Sequence, residues 1–97
     1  MKKIFNINDI ITIVMEEVNV LECKNIYGIE EEINIPKPVE DKIDSLTNDD
    51  YNEFTSKVYE IAEEVLAFKS GELNELNRCH EEIGYLAENE LKDYICD

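Results

Sequence analysis

Residues 47–71 read TNDDYNEFTSKVYEIAEEVLAFKSG, and their periodicity decides the fold. Thr47-Asn48-Asp49-Asp50 offers a capping hydroxyl followed by acids suited to the positive end of a helix dipole. Tyr51, Phe54, Val58, Ile61, Ala62, Val65, Leu66 and Phe68 then fall on one helical face. Glu53, Ser56, Glu60, Glu63 and Glu64 fall on the other. Lys69 closes the last turn and Gly71 supplies a stop. The spacing predicts a helix over 48–69.

Working outward, a second amphipathic stretch runs from about Glu72 to Ile95. Its apolar side carries Leu73, Leu76, Cys79, Ile83, Leu86, Ala87, Leu91 and Tyr94. Two such helices joined by Ser70-Gly71 predict an antiparallel hairpin. Toward the N-terminus, Ile7, Ile10, Ile11, Val14, Met15, Val18 and Leu21 share an arc of about 140° at 100° per residue, with Asn8 expected as the N-cap. That projection leaves Ile13 and Val20 off the main face. Val39, Ile43 and Leu46 repeat at helical spacing behind Pro38. Between these segments Tyr27-Gly28 signals a turn, and Ile33-Asn34-Ile35 alternates like a strand before Pro36-Lys37-Pro38. The expected fold is therefore all-α or nearly so, a three- to four-helix bundle with a C-terminal helical hairpin. A short β element is expected near residues 3–7 and 32–35.

The 97 residues make one domain, 1–97, and 43% hydrophobic residues supply its core. The formal charge of −15, from 24 acids against nine Lys and Arg, is the dominant chemical feature. Glu outnumbers Lys by 17 to 8, so a lean toward AT-rich codons, which raises both, does not explain it. Self-repulsion on this scale opposes folding and points to solubility pressure or a basic partner. It also argues against direct binding of nucleic acid, which needs a basic footprint. Cys23, Cys79 and Cys96 are odd in number and far apart, unlike a secreted disulfide framework. Asn6, Asn8 and Asp9 interrupt any signal-like apolar run after Lys2-Lys3, and no stretch reaches transmembrane length. A cytoplasmic protein with reduced thiols, not engaged with a membrane, is expected.

No residues form a catalytic, cofactor or metal signature. His80-Glu81-Glu82-Ile83-Gly84 departs from H-E-x-x-H at its last position, and the 41–50 stretch lacks the central glycine of a calcium loop. Cys79 and His80 point about 100° apart on a helix and have no paired ligands at short spacing. His80 is expected as a half-buried residue at a helix seam, and Gly84 one turn on as a close-packing position. The expectation is a non-enzymatic protein with no cofactor.

The charge is unevenly spread: −1 over residues 1–26, −6 over 27–50 and −8 over 51–97. Few lysines interleave with the acids of the 48–69 helix, whereas a helix face that is merely solvated mixes both signs. Rows of carboxylates about 5–6 Å apart have a spacing comparable to that of phosphates on a strand. Glu30, Glu31, Glu32, Glu53, Glu60, Glu63 and Glu64 are the candidate partner-binding residues. In size and composition the chain is similar to small acidic antagonists of phage or plasmid origin, including DNA-mimicking anti-restriction and anti-CRISPR proteins. That likeness implies an inhibitor of a basic, nucleic-acid-binding protein. Two other readings accompany it: an immunity protein or antitoxin blocking a basic nuclease toxin, and a helical adaptor or homodimer that uses Tyr27, Tyr59 and Tyr85.

Overall fold

The computed structural model describes residues 3–30, 32–71 and 76–96, with side chains at 68–71 and 76–78 outside the description. Among the described residues there are four α-helices: α1 (Ile7–Glu22), α2 (Lys37–Asp44), α3 (Asn48–Gly71) and α4 (Leu76–Glu90). No strand or sheet forms among the described residues, and the fold is a small all-helical bundle. No helix of the described residues is long and apolar enough to cross a membrane.

α1 begins one residue after Asn6, not after Asn8 as the sequence reading had it. The Asn6 side chain accepts the Asp9 N–H at 2.8 Å, and the Asp9 carboxylate accepts the Asn6 N–H at 3.1 Å. This reciprocal capping box satisfies two orphan donors and outcompetes a cap two residues later. α1 lies against both α3 and α4. A helix covered from two sides buries a wider arc than one face. Ile13 is accordingly 4% exposed, although the sequence reading left it off the main face, and Val20 is half-buried. A π-helical turn, Cys23–Tyr27, continues α1 and ends at Gly28 with φ 66°. Glycine takes this left-handed conformation without the Cβ clash that other residues meet.

α2 is opened by Pro36, with Pro38 in its first turn, and buries Val39. Lys42 of α2 donates to the Asp9 carboxylate at 2.6 Å, tying the short helix to the start of α1. α3 starts where Thr47 Oγ accepts the Asp50 N–H at 3.2 Å. Of its expected apolar face, Phe54, Val58, Ile61, Ala62 and Val65 are buried and Leu66 is half-buried, Tyr51 is 44% exposed, and the Phe68 side chain lies outside the description. α3 packs on α4, and Tyr94, beyond the end of α4, meets the first turns of α3. The two helices are therefore antiparallel. Positions 72–75, where the sequence reading starts the second helix, lie outside the described residues.

The expected β pairing of 3–7 with 32–35 is not what forms. Phe5 bridges Ile95 in parallel, with Phe5 N–H donating to the Tyr94 carbonyl at 3.1 Å and Cys96 N–H to the Phe5 carbonyl at 2.7 Å. Residues 32–36 carry no regular structure. The same contact corrects the C-terminal helix, which ends at Glu90 rather than running to Ile95. Leu91 leaves helical geometry at φ −116° and ψ 19°, a 3₁₀ turn spans Lys92–Tyr94, and Ile95 is extended. The physical cause is the aromatic end of the core. Phe5 stacks on Phe54 at 4.7 Å between centroids, and Phe54 meets Tyr94 at 5.1 Å in a tilted pair. All three are at most 1% exposed. Turning the chain at Leu91 drives Tyr94 inward and aligns the next residues with Phe5, so aromatic burial outweighs one further helical turn.

Among the described residues, the core formed mainly by α1, α3 and α4 contains no buried polar or charged residue, and no buried side-chain polar atom lacks a hydrogen bond. His80 is half-buried beside buried Cys79, as expected of a seam. Gly84 is not a close-packing position: a Cβ there would meet nothing within 4 Å.

Candidate functional site: the acidic face of the third helix

Glu60, Glu63 and Glu64 are exposed on α3, opposite Ile61, Ala62 and Val65 in the core. Because α3 packs against α1 and α4, these carboxylates project from a helix anchored in the core. Spacings of three and four residues keep their Cβ atoms about 5–6 Å apart. Among the described residues, ion pairs join Lys37 to Asp41 at 3.0 Å, Lys42 to Asp9 at 2.6 Å and Lys57 to Glu53 at 3.9 Å. Among the described residues, then, no ion pair falls on the Glu60, Glu63 and Glu64 row.

Glu53 stands apart from that row. Its Oε1 accepts the Tyr94 hydroxyl at 2.7 Å as well as facing Lys57. Burial, then this hydrogen bond and the Glu53 charge, push the Tyr94 phenol well above its ordinary value of 10. The ring is wholly buried while its hydroxyl ends at the edge of the core, beside a carboxylate whose side chain is 46% exposed. Glu53 therefore holds the C-terminal turn in place, a contact that spacing within α3 alone does not reveal.

Glu30 and Glu32 are exposed in the irregular segment after Gly28, and Glu31 lies outside the described residues. Glu32 lines a shallow depression together with Glu16 and Asn19 of α1. Glu63 lines a separate one with Glu22 and Lys24. The candidate acids thus flank different depressions.

Exposed apolar groups accompany them. Ile26, Tyr27 and Ile29 are 63%, 69% and 52% exposed, an unusual run for one short segment, and Tyr59 and Tyr85 are exposed as well. Sequence reasoning missed one acid altogether. Glu17 is half-buried on α1, and burial raises its carboxyl above the ordinary value of 4.5. The signal was present: at 100° per residue Glu17 projects only about 20° from Ile10, inside the apolar arc.

The three cysteines are free thiols, with Cys79 buried and Cys23 and Cys96 half-buried. Among the described residues no group of three His, Cys, Asp or Glu is placed to hold a metal ion. No family model matches the chain, and neither a curated protein nor a solved structure matches it.

Proposed function

We propose that this chain is a non-enzymatic inhibitor or neutraliser that presents an acidic surface to a basic, nucleic-acid-binding protein. The observation that carries the reading is the α3 row: Glu60, Glu63 and Glu64 stand exposed on a helix anchored in the core while the described ion pairs lie elsewhere. Complementary charge of this kind accelerates encounter and selects partners more than it adds affinity. Exposed carboxylates at this spacing suit a groove built for phosphates, the principle of a DNA mimic. An immunity protein or antitoxin acting on a basic nuclease toxin would use the same surface and differ only in its partner.

Capture from a lysate at low salt, eluted with a salt gradient, tests the proposal. Basic nucleic-acid-binding proteins should be enriched, released as salt rises, and displaced by added DNA or RNA. The triple reversal E60K/E63K/E64K should abolish the capture. Retention of partners at high salt, or recovery of this chain alone, would overturn it. Either result would favour a second reading, an adaptor or homodimer joined through Ile26, Tyr27 and Ile29, whose exposure is the observation behind it.

A further inference from the structure

A groove of about 350 Å³ opens between α1, α2, α3 and the irregular residues 33–35. Buried Ile13, Phe54 and Val58 form its floor. Ile33, Tyr51 and Tyr59 form its walls, each 44–45% exposed. Among the described residues, Glu17 is the only charged one on the lining. None of Glu30, Glu32, Glu53, Glu60, Glu63 or Glu64 reaches it. Thr55, also on the lining, gives its hydroxyl to the Tyr51 and Asn52 carbonyls, leaving it no proton for Glu17.

We infer that this groove receives a single arginine side chain of the basic partner, its stem between Ile33, Tyr51 and Tyr59 and its guanidinium on the Glu17 carboxylate. The inference rests on the proposed basic partner and names how one of its residues is held. Size sets the first limit, since the volume lies at the low end for ligand pockets and suits one side chain rather than a helix. Charge sets the second. The described residues give the half-buried Glu17 carboxylate no hydrogen bond or ion pair, so an uncharged apolar occupant would desolvate it further without return. A second copy of this chain would bring another −15 against the first. Between the two basic side chains, the guanidinium is the more weakly hydrated, stacks on tyrosine rings and pairs with a carboxylate in two parallel hydrogen bonds.

The probe is a capped Gly-Arg-Gly tripeptide titrated into labelled protein at low salt, followed by methyl and aromatic NMR. Peptides with lysine, and with citrulline as the uncharged isostere, serve as comparisons. The Arg peptide should shift Ile13, Ile33 and Tyr59 signals in a saturable way. The citrulline peptide should bind about fivefold more weakly, and E17Q should weaken the Arg peptide by a similar factor. E60K/E63K/E64K should change its affinity much less. Shifts confined to the Glu60–Glu64 region would overturn the groove while leaving the acidic-surface reading standing. Equal binding of the citrulline or lysine peptide, or an unaffected E17Q, would overturn the arginine assignment. A chain that shows no shift anywhere overturns it as well.

Discussion

Replacing Tyr94 with Phe separates the hydroxyl's contacts with α3 from the packing of its ring. The substitution keeps the ring against Phe54, at 5.1 Å, and removes only the hydroxyl that donates to Glu53 at 2.7 Å and approaches the Asp50 carbonyl at 3.3 Å. A hydrogen bond to a charged acceptor is worth about 1.5–3 kcal/mol when its loss leaves the acceptor stranded. Glu53 is not stranded. Its side chain is 46% exposed and Lys57 lies 3.9 Å away, so water re-solvates the carboxylate. The expected cost of Y94F is therefore about 1–1.5 kcal/mol, at or below the lower end of that range. For a domain of this size that corresponds to a Tm lower by about 4–12 °C. Y94A also loses a fully buried ring and should cost about 3–5 kcal/mol. Urea unfolding followed by circular dichroism measures both. A double-mutant cycle with E53Q should return a coupling near 1 kcal/mol. If Y94F unfolds within about 0.3 kcal/mol of the parent, the hydroxyl is not what anchors the turn; if it costs as much as Y94A, burial of the ring is not.

Four further outcomes follow from the same geometry. E60K/E63K/E64K should keep the helical signal and melt at or above the parent temperature, since the reversed residues lie opposite the core and relieve like-charge repulsion; unfolding would mean that the row is structural. G84A should stabilise by about 0.5–1 kcal/mol in chemical denaturation, because the site is helical and open to a methyl group; destabilisation would show that the space is filled. Burial raises the folded pKa of Glu17 above 4.5, so the folded state binds this proton more tightly than the unfolded chain. Its contribution therefore makes stability rise as pH falls from above the folded value toward 4.5, and the Tm slope between pH 7 and 5 should be flatter in E17Q; equal slopes would remove Glu17 from the account. Finally, Cys23 and Cys96 should react with a thiol reagent in the native protein while Cys79, 2% exposed, waits for unfolding; three equally fast thiols would contradict the buried position of Cys79.

The helices were legible from sequence because a helix face is a local repeat. Phe54, Val58, Ile61, Ala62 and Val65 recur at the helical period whatever they pack against, and Glu60, Glu63 and Glu64 are outward for the same reason. The helical bundle, the antiparallel hairpin and the half-buried His80 all came from that repeat and from composition. Where two local rules competed, the projection misjudged the result: Asn8 satisfies the cap rule, but only Asn6 has an acid three residues on to close the box. Glu17 was visible inside the apolar arc of α1, yet only the arrival of Ile33, Tyr51 and Tyr59 makes its neighbourhood a groove.

Other features were decided by docking alone. Ile13 is buried because α1 is covered by two helices, which no single-helix projection anticipates. Phe5 pairs with Ile95 rather than with residues 32–35, and Glu53 holds Tyr94 from 41 residues away. Periodicity reports the geometry of one element and is blind to which elements meet. Contacts between distant residues depend on how the helices close around the Phe5, Phe54 and Tyr94 rings, and that closure ends α4 early and turns an apparently outward carboxylate into a structural one.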